Sequence, residues 1–345
     1  MEPYYYTKMN KQEKTVYQTM KIGMMKVEEM ILVPYMEIKQ LYDIFLKMRL
    51  DTPSLFWVST FRCRRYQNSP HMQIVPKYIF TGKKLVEQQK AIAARLEKLT
   101  KQNTGKTAWE KEKWIHDFLC ENVRYDKLKK PYSHEIIGSL GHGVGVCEGI
   151  AKVAKILLDA VGIPCIIALS DANPEKGIKY RHVWNVVKIE DTWYHLDVTF
   201  DLSLSKKDIR YDYFNLDDSR LFRDHEPVMT NVPACADGNH FYYLEKKMSF
   251  TKIDVLEKRV IQAAKKDKRM TFHWRGGHLT RQVLDEILQM IQKCGEERGK
   301  FAHIGLNWQQ AVLSVEFSKE KKELLEVEDA NEGEKEGDTK EEQEL

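Results

Sequence analysis

Apolar positions between residues 147 and 161 fall at Ile150, Val153, Ala154, Leu157, Leu158 and Val161, the spacing of one helix face. Glu148, Lys152, Lys155 and Asp159 fall opposite and read as its wet face. Gly162 and Pro164 predict where this helix stops. Cys165 to Ser170 is a short apolar run with the look of a buried strand, and Asp171 to Gly177 is a loop carrying the turn signal Asn173-Pro174. Two further strands are predicted over 181–189 and 192–200, joined through Glu190-Asp191. If those two residues make the turn, Ile189 faces Thr192 and His182 lies opposite Thr199. Asp197 then shares the face of His182 on a diagonal, within reach of a long side chain. A three-residue turn would send Asp197 to the other face, so the register is testable.

Upstream, Lys26 to Leu50 reads as a helix that Pro34 kinks or splits. Phe56–Tyr66 and Gln73–Phe80 suggest a hairpin around Asn68-Ser-Pro70. Gly82 to Lys101 reads as a long amphipathic helix with Leu85, Ala91, Ala93, Leu96 and Leu99 among its apolar positions. Asn103-Thr-Gly105 separates it from a helix over Trp109–Glu121. Downstream, Cys235–Tyr243 is a loop leading into an aromatic strand. A helix near 253–265, a strand over Met270–Trp274, a helix near 277–293 and a strand over Ala311–Phe317 come next. The expected organisation is an N-terminal helical and β-hairpin region (1–105), a central core (106–245), a small α/β region (246–318) and an acidic tail (319–345). The N-terminal region is read as a buttress to the core. His273, Trp274 and His278 are read as structural side chains, not as a ligand site.

Chemistry concentrates at the start of the 147–161 helix. Gly141-His-Gly-Val-Gly-Val-Cys147-Glu-Gly149 brings a glycine-rich approach to one cysteine at a helix N-terminus, where the macrodipole favours thiolate over thiol. With His182 as general base and Asp197 as orienting carboxylate, the pattern points to a Cys147–His182–Asp197 triad. Asp201 and Glu148 are neighbouring carboxylates with other uses open to them. The backbone N–H of Cys147 is the expected oxyanion donor. Tyr132, His134 and His142 precede the nucleophile, where a side-chain donor could arise, and Trp184 is expected to wall the cleft or fill the core.

These residues resemble the three core motifs of the transglutaminase-like superfamily: Val146-Cys147-Glu-Gly149, His182-Val-Trp184-Asn185-Val and Trp193-Tyr-His195-Leu-Asp197-Val-Thr-Phe-Asp201. The spacings of 35 and 15 residues between Cys147, His182 and Asp197 are similar to those of bacterial members. Lys113–Asp126, Tyr213–Asp217 and Arg223-Asp-His-Glu226 resemble flanking segments of that family, as does Asp51–Trp57 further upstream, and the likeness covers about residues 107–226. The resemblance implies an α+β, papain-like fold in which the cysteine helix packs on an antiparallel sheet carrying histidine and aspartate. It also implies thiol acyl chemistry on peptide or side-chain amides. Hydrolysis by a peptidase or amidase is the default over transamidation, because excluding water needs features the sequence does not display. The alternative is a vestigial scaffold that binds a peptide, glycan or protein partner. Family members that remove glycans carry paired Cys-x-x-Cys zinc motifs, and animal transglutaminases carry calcium sites; neither pattern occurs here, and no metal or organic cofactor is expected.

Charge and cysteine usage narrow the setting. Residues 323–345 hold 11 acidic residues and two lysines, a net of −9, so residues 1–322 carry +13 against +4 for the whole chain. Such a tail, without aromatics, is expected to be disordered. The lysines of the body are spread along amphipathic helices without a nucleic-acid motif, so they are read as a solvated surface. The six cysteines show neither metal nor disulfide spacing, and Cys120 and Cys165 fall in apolar segments as core thiols. The first ten residues carry no basic-then-apolar signal, and no segment approaches about 18 apolar residues. A cytoplasmic enzyme with reduced thiols and no membrane partner is the expectation.

Overall fold

The structure, a computed structural model, describes residues 2–103, 107–176, 178 and 180–320. Residues 321–345, on which the expectation of a disordered acidic tail falls, lie outside the described residues.

The N-terminal elements are α1 (Lys11–Met25), β1 (Ile31–Pro34), α2 (Ile38–Asp51), β2 (Val58–Arg64), β3 (His71–Tyr78) and α3 (Gly82–Gln102). Asn10 and Glu13 form a capping box that starts α1, each side chain accepting from the other's backbone N–H. The helix expected over Lys26–Leu50 does not form as one piece. Val27 turns left-handed (φ 59°) just after α1, and Ile31, Leu32 and Val33 then alternate buried, exposed, buried along an edge strand. Pro34 ends that strand, where its missing N–H costs nothing, and α2 begins at Ile38. The hairpin forms as β2 and β3, antiparallel, in a sheet of order β1-β3-β2. On α3 the buried positions are Leu85, Ile92 and Leu99, one per two turns; Ala91 and Ala93 face solvent.

The central elements are α4 (Ala108–Asn122), α5 (Cys147–Ala160), β4 (Cys165–Ser170), β5 (His182–Ile189), β6 (Thr192–Leu196), α6 (Val198–Leu204) and β7 (Phe214–Leu216). Strands β4 to β7 form an antiparallel sheet in sequence order, and α5 packs on it. A helix opening at Cys147 and packed on an antiparallel sheet is the α+β arrangement expected. The apolar stripe of α5 is buried throughout from Ile150 to Leu158.

Its expected wet face is not wet. Lys152 is fully buried and donates to Glu135 at 2.9 Å and to the His134 carbonyl at 3.0 Å. Lys155, 7% exposed, donates to Asp159 and to the Cys165 carbonyl. Both ammonium groups are paired, which is how a buried lysine avoids an uncompensated charge. Arg49 of α2 joins the same cluster through Glu135, and through Glu148 at 3.1 Å.

The C-terminal elements are β8 (Ser249–Phe250), α7 (Ile253–Lys266), β9 (Met270–Trp274), α8 (Arg281–Glu296), β10 (Phe301–Asn307) and β11 (Val312–Ser318). The sheet order is β8-β9-β11-β10. Strand β10 has no counterpart among the expected elements, and α8 starts later than expected because Thr280 caps it. The aromatic strand expected near Tyr243 is instead a helical turn, Tyr242–Glu245. One apolar core runs through the N-terminal and central elements; a second fills the space between α7, α8 and the C-terminal sheet. No described helix is long and apolar enough to cross a membrane.

Glu112 on α4 is fully buried and accepts from Asn215 at 2.8 Å, while its other oxygen and Asn215 Oδ1 have no partner. Burial pushes its carboxyl up to about 8, against the opposing Asn215 bond and His116 charge. Between its ordinary value of 4.5 and about 8 the folded chain therefore binds one proton more than the unfolded chain. Its contribution to stability is full below the ordinary value and is lost as pH rises through the folded one. Glu112→Gln cannot ionise and keeps the shape. Thermal melts are expected to show the variant gaining roughly 2–4 kcal/mol on wild type between about pH 5 and 8; parallel curves would refute a protonated Glu112.

Candidate active site

Cys147 is half-buried and opens α5, so the N–H groups of the first turn have no acceptor within the helix. The local chain holds this start in place. Gly143 sits left-handed at φ 64°, a conformation glycine adopts without strain. The Ser133 carbonyl accepts from Val146 N–H at 3.1 Å, and a Cβ added at Gly149 would stand 2.1 Å from that same oxygen. Glycine at position 149 thus lets the 131–134 turn close against the helix start. That turn is itself folded by Asp126, which accepts from the N–H groups of Leu128 (3.1 Å) and Lys130 (3.0 Å) and from the Ser133 hydroxyl. Beside the nucleophile, burial pushes the Glu148 carboxyl up, but Lys152, Arg49 and His134 hold it well below the usual range.

His182 begins β5, and the strand register is the one a two-residue turn requires: Ile189 pairs with Thr192 and Asn185 with Leu196. Glu190 in the turn adopts φ 54°. The second strand stops earlier than expected, however. It ends at Leu196, and Asp197 becomes the N-cap of α6, its Oδ1 accepting from Thr199 N–H at 2.8 Å and Phe200 N–H at 3.0 Å. His182 consequently does not face Thr199, which lies in the helix. The cap leaves Oδ2 free to accept from His182 Nε2 at 2.5 Å. That bond leaves Nδ1 of the ring uncommitted to Asp197, and the Cys147 thiol lies near enough to His182 to raise its imidazole.

Burial alone would push the His182 imidazole down, but the Asp197 charge and bond, with the nearby Cys147, outweigh it and hold it well above its ordinary value. Asp197 is fully buried; burial raises it, yet the charge and bonds of His182 and His225 hold the carboxyl well below the usual range. His225 is absent from the sequence-based site. Its Nε2 lies 2.9 Å from Asp197 Oδ2 and its Nδ1 2.7 Å from Asp224 Oδ1. The segment 223–226 is legible only as a family likeness, since its contact spans 28 residues and no local spacing announces it.

Trp184 is buried, with its ring 5.8 Å from that of His182 and nearly parallel to it. Its single N–H is given to His195 Nδ1 at 3.1 Å, which leaves none for an oxyanion. Tyr132 and His142 pack against each other at 5.0 Å, and His134 turns to Glu148 at 3.3 Å. Behind His182 a small cavity of about 20 Å³, bordered by Ser170, Tyr180, Phe200 and Glu226, has room for one water.

Two clusters of metal-ligand residue types occur among the described residues: His182–Asp197–His225 and His195–Asp218–Cys235. In the first, both imidazoles direct Nε2 at one carboxylate oxygen, so these nitrogens are donors with no lone pair to offer. In the second, Trp184 can only donate to His195 Nδ1, so the proton sits on Nε2 and is given to Asp218 at 2.8 Å. Neither donor set suits a cation.

Residues 91–198 match the model of the transglutaminase-like superfamily, a stretch that contains Cys147, His182 and Asp197. That stretch of the chain is similar to the domain this superfamily shares. Among solved structures it is similar to one described as a TGase, at 9% identity over 66% of this chain and 66% of that one, with a TM-score of 0.30. A second, described as a "putative cysteine protease" from Cytophaga hutchinsonii, is 18% identical over 40% of this chain and 61% of its own length, TM-score 0.26. The chain spans just under two thirds of the first of these. Likenesses with TM-scores this low establish nothing about the activity of the chain. No curated protein matches it.

Proposed function

We propose that this protein is a cysteine-dependent acyl-transfer enzyme acting on peptide or side-chain amides, with Cys147 as nucleophile, His182 as general base and acid, and Asp197 as the carboxylate that orients it. The observation carrying this reading is that one buried imidazole bonds the Asp197 carboxylate at 2.5 Å and lies near enough to the Cys147 thiol to be raised by it. His182 takes the thiol proton, and Asp197 stabilises the imidazolium so formed. The sulfur attacks the amide carbonyl, and N–H groups at the start of α5 face the oxyanion. His182 then gives its proton to the leaving amine or ammonia as the C–N bond breaks, which leaves a thioester on Cys147. Water, deprotonated by His182, resolves the thioester to an acid; a second amine would give a new amide instead. Hydrolysis is favoured, because water is the acceptor by default unless a cleft is built to exclude it. Peptide or protein amides are the proposed substrates, and a cytoplasmic location is proposed with them.

The test is to incubate the chain with a library of peptide amides and glutamine-containing peptides and search the Cys147 peptide for an acyl adduct by mass spectrometry. An adduct on Cys147, with ammonia or amine released and both lost in Cys147→Ala, is expected. A full library without adduct or release in the wild-type chain would defeat the proposal.

A further inference from the structure

Asp197 does not serve His182 alone. Its Oδ2 lies 2.5 Å from His182 Nε2 and 2.9 Å from His225 Nε2. The other ring nitrogen of His225 lies 2.7 Å from Asp224 Oδ1, and the His225 side chain is 1% exposed. A carboxylate can only accept, so a ring held between two of them donates from both nitrogens and is an imidazolium. Burial would push His225 down, but its bonds to Asp197 and Asp224 and their charges raise it. Phe200, Trp184 and Tyr213 lie against the ring, the His182 imidazole is 5.4 Å away, Glu226 borders the same small cavity, and His195 is near enough for the His225 charge to lower it.

Both carboxylates are pinned from behind. Asp197 Oδ1 is held by the Thr199 and Phe200 N–H groups. Asp224 Oδ2 accepts from the Tyr213 hydroxyl at 2.6 Å and from Gln310 Nε2 at 3.1 Å. Gln310 lies in the turn between β10 and β11, so the C-terminal layer reaches the site through the chain Gln310, Asp224, His225, Asp197, His182, and also through Asn307, which donates to the Tyr213 hydroxyl at 3.4 Å.

We infer that His225 is a positioning residue that shares the Asp197 carboxylate with His182, held there as a second cation by Asp224, and limits how tightly Asp197 grips the His182 proton. The inference rests on the reading of His182 as acid and base. A buried carboxylate raises the proton affinity of the imidazole it faces, and a proton held more firmly is given less readily to a leaving amine. A second cation on the same oxygen weakens that grip without moving the carboxylate, because the helix N-terminus holds Asp197 in place.

Nitrogen-detected NMR of the intact chain labelled with ¹⁵N-histidine reads both imidazoles without requiring turnover. In the wild-type chain, both ring nitrogens of His225 are expected to be protonated at neutral pH. In His225→Gln, which keeps an amide donor but no charge, the His182 titration is expected to move up by about one to two pH units. Asp224→Asn is the second variant, isosteric and able to keep the Tyr213 bond; it should lower the His225 titration and raise that of His182. A purely structural role would leave the His182 midpoint where it was in every folded variant. An unchanged or lowered midpoint in either variant, or one bare nitrogen on His225, overturns the inference. The catalytic reading falls by a different result, the absence of any Cys147 acyl adduct.

Discussion

With His182 replaced by alanine, labelling of Cys147 by iodoacetamide is expected to need a higher pH than in the wild-type chain. The cause is the loss of the imidazole beside the thiol and of the positive charge it brings. The half-maximal pH is the quantity to compare, because a thiolate stabilised by a neighbouring cation is also a weaker nucleophile, and the two effects partly cancel in the absolute rate. Turnover of an amide substrate should fall by about 10⁴–10⁶-fold, the range for removing a member of a triad. The fold is expected to survive. Asp197 keeps His225 at 2.9 Å and its two backbone donors, so no buried charge is stranded. Superimposable labelling curves for the two proteins, located by mass spectrometry at Cys147, would remove the physical basis for catalysis here.

Asp197→Ala should cost stability as well as activity. This one carboxylate caps α6, holds His182 and balances His225. Losing an N-cap costs about 0.5–2 kcal/mol, and leaving a buried partner uncompensated costs about 3–5 kcal/mol. The two losses fall on a single residue and overlap, so urea unfolding should show a drop of about 3–5 kcal/mol. The effect has a pH signature. The Asp197 carboxyl is held below its ordinary value of 3.8, so its contribution is present above that value and disappears as pH falls through the lower, folded one. The alanine variant should therefore lose less stability on acidification than the wild-type chain does. Asp197→Asn separates the roles: its carbonyl oxygen can still cap α6, but its amide cannot accept from two ring N–H groups. It should unfold at a urea concentration between those of wild type and Asp197→Ala while its turnover is as low as that of the alanine variant. An asparagine variant with near wild-type turnover would mean that the carboxylate charge is not needed.

Part of this architecture is legible in the sequence, and the reasons are local. The α5 helix follows from the spacing of Ile150, Val153, Leu157 and Leu158, and its end from Gly162, which indeed turns left-handed at φ 83°. The β5–β6 register follows from a turn of two residues, and it brings Asp197 to the side of His182. Where the sequence misleads, a competing local signal is present but weaker. Val198, Thr199 and Phe200 look like strand residues, yet Asp197 ahead of them can accept two backbone N–H groups, and the cap prevails. Ile31 to Pro34 lies inside a pattern that reads as helix, yet Ile and Val alternating before proline suit an edge strand.

Other features have no local signal at all. Lys152 and Lys155 sit at positions that are polar in any helical projection, and only the packing of α5 buries them. Besides Glu148 one turn before it at 2.7 Å, Lys152 is neutralised by Glu135, 17 residues earlier, and Glu135 in turn by Arg49, 86 residues before it. His225 reaches Asp197 across 28 residues, and Gln310 reaches Asp224 across 86. The sequence by itself thus determined the helix that carries the thiol, the strand pair that carries the imidazole, and the residue types at their ends, because helix period, turn length and cap chemistry act over a few neighbouring residues. Only the tertiary structure decided which charges are buried together and which second histidine shares the carboxylate, because those partners are chosen by the packing of elements far apart in the chain.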